Sequence, residues 1–283
     1  MRPLAAFVGR HAPVVLLAFL VSCRSVPPAA PVTANPATDA PAVRFLLTFD
    51  DGPSIRQPVN PTLSIVDQLA TNSLQPGIKA IFFVQTRHPR GGGTPQGREV
   101  MRRVAEAGHV LAIHSVSPRG HVDHTKTPTN ELIASLKEAK AIIRQASGSE
   151  PLFVRPPFGA HTVRTRSIYA SLGLHVLMAD IRARDGVIYG YNGSFRRRSH
   201  IRDGLIAIKQ DLDRHPAGDD PVTVILNFHD VNPYTARHMT EYLHILVEEA
   251  ARVGFAIPAK PFFESKASID DAAICRCVPE PPR

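Results

Sequence analysis

The stretch "VRFLLTFDDGP", residues 43–53, decides how the rest of the chain is read. From Val43 to Phe49 it is almost continuously apolar. A run of this length without polar alternation is a strand buried on both faces, the kind that belongs to a parallel sheet. It ends on two adjacent carboxylates, Asp50 and Asp51, followed by a Gly-Pro turn pair. A buried strand that delivers two acids to its C-terminal end needs partner strands, and it marks that end as a place to look for chemistry.

Partner runs follow at regular intervals: "KAIFFVQ" (79–85), "HVLAIHS" (109–115), "LFVRPP" (152–157), "LHVLMAD" (174–180), "VTVILNFH" (222–229) and "FAIP" (255–258). Between them the period changes to helical. Asn60-Pro61 supplies a cap and a first-turn proline before Leu63, Val66 and Leu69. Thr127-Pro128 does the same before Leu132, Leu136, Ile142 and Ile143, and Gly108, Gly148, Gly173 and Gly254 stand where helices should stop. Seven strands alternating with helices predict parallel pairing through βα crossovers. A closed or nearly closed α/β barrel is the expected architecture, with an open doubly wound sheet as the alternative.

Of the 283 residues, 43% are hydrophobic and 20% charged, the balance of an ordinary globular protein. The net charge of +8 suits anionic polymers or surfaces without selecting one. There is no Trp, so any sugar stacking falls to Tyr, Phe or His. Arg2 and Arg10 precede the apolar run "APVVLLAFLVS", which is short for a membrane span and has the shape of a secretory signal. It closes on Leu20-Val21-Ser22-Cys23, which resembles the lipobox of bacterial lipoproteins. That resemblance implies a signal over 1–22, a lipid on Cys23, and anchoring in the bacterial cell envelope. Residues 23–42 are rich in Pro and Ala and read as a tether. The folded domain is expected over 43–262, with a peripheral tail over 263–283. Cys275 and Cys277 could close only a small strained ring and receive no function.

The reactive residues collect at strand ends. Asp50 and Asp51 end the first run, His114 lies near the end of the third, and Arg155 falls in the fourth. Asp180 ends the fifth with Asp185 close behind, and His229 and Asp230 end the sixth. In barrels of parallel strands the C-terminal ends form the active-site face. A carboxylate with two imidazoles makes a metal site with open positions, and a neighbouring carboxylate can take a proton from water. The chemistry these residue types support is metal-assisted hydrolysis. "RGGG" (90–93) lacks the lysine of a phosphate-binding loop, and no nucleic-acid motif is present. "RRR" (196–198) reads as a solvated face, with contact to an anionic glycan or lipid as the alternative.

At "TFDDGP" (48–53), "RPPFG" (155–159) and "LNFHD" (226–230) the chain resembles the NodB-type polysaccharide deacetylases, carbohydrate esterase family 4, in that family's first, third and fifth motifs. The resemblance covers about residues 43–260. It implies a distorted (β/α)7 barrel that removes acetyl groups from N-acetylated sugars of a peptidoglycan- or chitin-like polysaccharide. It implies Asp50 as general base, Asp51 and His114 as metal ligands, and Arg155 as the tether of Asp50. The backbone N–H of Phe158 would hold the oxyanion, His229 would be the general acid, and Asp185 would pair with His229. Gly186 stands where the family often has Trp. The implied cofactor is a divalent metal, zinc first, with cobalt, nickel or manganese as alternatives. The implied partners are a polysaccharide or oligosaccharide and, through Cys23, a membrane. No nucleic acid is expected, and the chain is expected to be a monomer.

The second motif departs from the pattern. In "HSVSPRGHVDHT" (114–125), Pro118 occupies the position of the family's second histidine and cannot coordinate. Counting back from the next helix places His121 in that role after a three-residue insertion, with His124 as the other candidate. Loss of the ligand would instead make a glycan-binding lipoprotein without catalysis. An esterase acting on O-acetylated glycans is the remaining alternative.

Overall fold

The computed structural model describes residues 40–185, 192–215 and 221–279. The signal over 1–22, Cys23, nearly all of the tether and Gly186 lie outside the described residues. In chain order the elements are β1 (Val43–Asp50), α1 (Pro61–Thr71), β2 (Ile81–Gln85), α2 (Pro95–Glu106), β3 (Val110–Ser115), α3 (Thr129–Ser147), β4 (Phe153–Val154), α4 (Val163–Ser171), β5 (His175–Val176), β6 (Ile181–Arg182), α5 (Asn192–Arg214), β7 (Val222–His229), α6 (Pro233–Arg237), α7 (Met239–Val253) and α8 (Lys266–Ile274). Among the described residues no helix is long and apolar enough to cross a membrane.

The strands form one seven-stranded sheet in the order β5-β4-β3-β2-β1-β7-β6, and every paired neighbour is parallel. Chain geometry makes this sheet curl. Laid flat, seven strands would put the edges roughly 29 Å apart. The edge strands β5 and β6 are joined by Leu177–Asp180 alone, and the five steps from Val176 to Ile181 reach at most about 18 Å. The short link therefore spans the gap of a nearly closed barrel. It is fastened at both ends: Leu177 N–H donates to the Val154 carbonyl (3.1 Å), and Asp180 N–H to that of Ile225 (2.9 Å). Asp180 also accepts from the Ile225 N–H at 2.8 Å and from Arg276 at 2.6 Å, which makes it a structural clasp.

Side-chain alternation sorts the long strands into two cores. Phe45, Leu47 and Phe49 of β1, Phe82 and Val84 of β2, Leu111 and Ile113 of β3, and Val224, Leu226 and Phe228 of β7 face the helices. There they meet Ile65 and Leu69 of α1, Leu136 and Ile143 of α3, and Leu243 and Leu246 of α7. Each such buried side chain contributes about 1.5–3 kcal/mol of transfer free energy. The alternate residues Leu46, Ile81, Phe83, Val110, Ala112 and Ile225 fill the barrel interior. Continuing that inner face by the two-residue period brings Asp50, Gln85, His114 and His229 to its C-terminal rim.

Three expectations need correction. "FAIP" is not a strand: Ala256 makes one bridge to Ala42, after Gly254 ends α7 with φ 96°. Pro258 then has no N–H with which to extend a ladder. The seventh strand is Ile181–Arg182, just beyond the run 174–180, of which only His175–Val176 is a strand. The segment after Phe262 is not peripheral. Phe263 and, from α8, Ile269 and Ala273 are buried in the inner core, and Lys79 N–H donates to the Phe263 carbonyl at 2.7 Å. This segment plugs the barrel at the end opposite the rim. Asn60 does cap α1, accepting from the Leu63 N–H at 3.1 Å, whereas Pro128 replaces Thr127 at the cap of α3 and offers no side-chain bond.

Candidate active site

Asp50 is 4% exposed and is fixed by two donors. Arg155 Nη1 donates to one carboxylate oxygen at 2.8 Å, and Asn227 Nδ2 to the other at 3.0 Å. Arg155 follows β4, where Pro156 and Pro157 end the ladder. Its guanidinium also donates to the Leu177 carbonyl (3.0 Å) and to Thr48 Oγ1 (2.7 Å), and lies over the Phe83 ring at 4.2 Å. The buried pair is thus an oriented carboxylate with a guanidinium locked behind it.

Asp51 turns the other way. Its φ of 77° lies in the left-handed region, which swings its carboxylate towards β2 and β3. A side chain at Gly52 would collide with the buried Asp230 carboxylate, so the turn needs glycine there. Asp51 Oδ1 accepts from Gln85 Nε2 at 3.0 Å, lies 3.3 Å from His114 Nε2 and contacts His121 Nε2. The two imidazole nitrogens are 2.9 Å apart. Among the described residues Asp51, His114 and His121 are the group of three that could hold a metal, their ligand atoms all lying within 4.8 Å of one another.

The donor set fits a divalent cation. His114 Nδ1 lies 2.7 Å from the Arg155 carbonyl, which only accepts, so Nδ1 carries a proton and Nε2 is the nitrogen that faces the cluster and would serve as the ligand atom. Two nitrogens and one carboxylate oxygen are ligands suited to zinc and leave further positions open. Burial works to raise the Asp51 carboxyl, but the hydrogen bonds and charges of His114 and His121 hold it well below the usual carboxylate range. His124 is placed elsewhere. It is 1% exposed, its Nδ1 is 2.8 Å from the Tyr169 hydroxyl, and burial pushes it down to about 4. It is a neutral core histidine.

Across the rim, His229 Nδ1 meets Asp185 Oδ1 at 2.9 Å. Asp185 is itself held by the His229 N–H (2.9 Å) and the Thr235 hydroxyl (2.6 Å), and its carbonyl accepts from Asn232 Nδ2. Burial acts to lower His229, but the Asp185 hydrogen bond and charge, with Asp50 and Asp51, push it up to about 9. Asp230, the next residue, faces Thr62, and burial raises its carboxyl to about 7. A cavity of about 280 Å³ joins these groups, and its lining includes Asp50, His114, His121, Arg155 and His229. Phe158 lines its mouth at φ 62°, 67% exposed, with its ring edge-on to His121.

The sequence profile of the polysaccharide deacetylase family matches residues 38–177, which carry Asp50, Asp51, His114, His121 and Arg155. The chain thus bears out its resemblance to this family. Its fold is the family's NodB-type distorted (β/α)7 barrel. The chitin deacetylase of Colletotrichum lindemuthianum superimposes with a TM-score of 0.57 at 17% identity, covering 81% of this chain and 92% of that one. A chitin deacetylase of Pestalotiopsis sp is 26% identical over 216 residues, 76% of this chain. The peptidoglycan-N-acetylglucosamine deacetylase of Listeria monocytogenes is 26% identical over 183 residues, 64% of this chain. The alignments span 59% of the first relative's length and 35% of the second's.

Several residues of the site carry no motif in the sequence. Gln85 ends a strand run just as Asp50 does, and that signal was available. Asn227 lies two residues before His229 and so shares its face. Arg182 and Arg184 line the cavity without any motif to mark them. The arginines of "RRR" are partly spoken for: Arg197 pairs with Glu241, and Arg198 with Glu248 at 2.7 Å and Glu249 at 3.0 Å.

Proposed function

We propose that the chain is a metal-dependent hydrolase that removes acetyl groups from N-acetylated sugars of a peptidoglycan- or chitin-like polysaccharide. The observation that carries this reading is the cavity flanked by the Arg155-tethered carboxylate of Asp50, the Asp51–His114–His121 cluster, and the His229–Asp185 pair. Asp51, His114 and His121 would hold the metal, zinc first, which when bound polarises the acetyl carbonyl and acidifies water. Asp50, held in place by Arg155, takes the proton of the attacking water. The Phe158 N–H is the backbone donor for the developing oxyanion. His229, charged at neutral pH through Asp185, gives its proton to the departing amine. A glycan-binding protein without turnover has no use for a buried, tethered base facing a charged imidazole. The sequence supports delivery to the cell envelope by a lipid on Cys23 and a monomeric state.

Acetate release from N-acetylglucosamine oligomers tests this function. Chelation should abolish release and added zinc or cobalt should restore it; a chain that releases no acetate from any N-acetylated glycan is not a deacetylase. The pH profile tests the acid. A histidine raised to about 9 keeps its proton through neutral pH and loses it as pH climbs past that value. Asp185→Asn removes the largest raising cause and leaves burial acting downward. The alkaline limb of kcat should then move down by roughly one to two pH units, since an adjacent opposite charge is worth about that much. An unmoved limb would mean that His229 is not the acid.

A further inference from the structure

Resting on that reading, we propose that the site takes an anionic glycan, and that Arg182 and Arg184 bind a carboxylate or phosphate on the substrate beside the sugar that loses its acetyl group. The two-residue period of β6 and its continuation carries the first part of the argument. Ile181, Ala183 and Asp185 are buried, whereas Arg182 and Arg184 are exposed and both line the catalytic cavity. Arg182 is in register with Asn227, the residue that holds Asp50, so it stands on the inner face with β7 alone between its strand and that of the base.

Their electrostatic state carries the second part. Arg155 also lines the cavity but is committed to Asp50 at 2.8 Å. Among the described residues neither Arg182 nor Arg184 has an ion-pair or hydrogen-bond partner. Among the described residues the acids beside them in the chain or the cleft do not pair with them: Asp180 is taken by Arg276 at 2.6 Å, Asp185 by His229 at 2.9 Å, and Asp203 lines the adjoining cleft without pairing to either arginine. Two like charges on one face, two residues apart, repel unless something neutralises them. Arg184 also sits at φ 55°, a left-handed conformation that costs a non-glycine residue about 1–2 kcal/mol. Strain of this kind is retained where it positions a side chain for a ligand. At the mouth, Gly159 leaves room for Arg182: a Cβ there would lie 2.9 Å from Met178 Cε and 3.5 Å from Arg182 Nη2.

The chemical class of the ligand follows from the fork. Guanidinium groups match the planar oxygens of carboxylates and the oxygens of phosphates, and they are unspecific for neutral hydroxyls. The acetyl group is neutral and belongs between Asp50 and His229. The anion is therefore a second substituent, on the same sugar or its neighbour.

The test is calorimetric binding of equal-length N-acetylated oligosaccharides that bear a carboxylate, a phosphate, or the same carboxylate converted to an amide. The wild-type protein should bind an anionic form at least about tenfold more tightly than the amide, one charge-assisted contact's worth. The advantage should shrink as salt is raised. In R182Q/R184Q it should fall to about twofold or less, while R182K/R184K, which keeps charge without the fork, should lie between. The arm whose advantage disappears in R182Q/R184Q identifies the anion. Equal wild-type binding of all three, or a preference that survives R182Q/R184Q, overturns the proposal. Acetate release from the same oligosaccharides reads the deacetylase function separately. Selective binding without acetate would sink that function and leave the anion site standing; acetate release with indifferent binding would do the reverse.

Discussion

Asp50→Asn should fold, bind metal with nearly unchanged affinity, and release acetate roughly 10²–10⁴-fold more slowly, the usual worth of a positioned general base. The separation of roles follows from where the two acids point. Asp51 faces His114 and His121, while both oxygens of Asp50 are taken by Arg155 and Asn227 at 2.8 and 3.0 Å. An amide at position 50 can still accept from Arg155 but cannot take a proton from water. It also leaves the buried guanidinium without its counter-ion, a loss of about 3–5 kcal/mol when a buried pair is broken outright. The Thr48 hydroxyl and the Leu177 carbonyl still accept from Arg155, so the penalty should fall at or below the lower end of that range. Acetate release, metal content and thermal melting of one preparation check all three statements. A variant within tenfold of wild-type turnover removes Asp50 from the role of base.

Which features could be read from the sequence depended on length and on locality. β1, β3 and β7 were legible because each is a long apolar run ending in a polar residue. Their inner and outer faces were not, because a strand buried on both sides shows no alternation. Leu46 and Leu47 look alike in the sequence, yet one lies inside the barrel and the other against the helices. β5 and β6 are two residues each, too short for any period, so the crossing between them was hidden inside one apolar segment. The strand count came out at seven with the wrong seventh member. The polarity of the segment after Phe262 pointed outward, while three small or apolar residues, Phe263, Ile269 and Ala273, carry its packing.

The same division runs through the site. Asp50, Asp51, His114, Arg155 and His229 are placed by regular strands or by the turns that end them, and the resemblance to the deacetylase motifs named their roles. The second imidazole sits in a loop whose shape comes from local contacts: Ser117 bridges Gly120, Gly120 has φ 80°, and the Ser115 hydroxyl donates to the Gly120 carbonyl. No period predicts where such a loop delivers a ring. The environment of His124 was less legible still, because its hydrogen-bond partner, Tyr169, lies 45 residues away on α4.

That geometry makes His121→Ala and His124→Ala behave as opposites. His121 contacts Asp51, its Nε2 lies 2.9 Å from that of His114, and its side chain is 34% exposed. Removing it takes away a ligand while disturbing little packing. Metal affinity should fall by more than the 10–100-fold typical of losing a ligand's hydrogen-bond support, so by at least about 100-fold. Melting of the metal-free protein should change little. His124 is buried against Tyr169 and is not one of the three residues whose ligand atoms converge. Its removal strands the Tyr169 hydroxyl and opens a cavity, so the metal-free protein should lose about 1–3 kcal/mol of stability with metal affinity preserved. Competition with a chromophoric chelator and thermal melting separate the two effects. If His124→Ala is the variant that releases the metal, the third ligand is His124, and the loop must rearrange on binding to bring that ring out of the core. If neither variant releases it, Asp51 and His114 hold the ion with some other group, and the three-residue insertion after Pro118 has a different purpose.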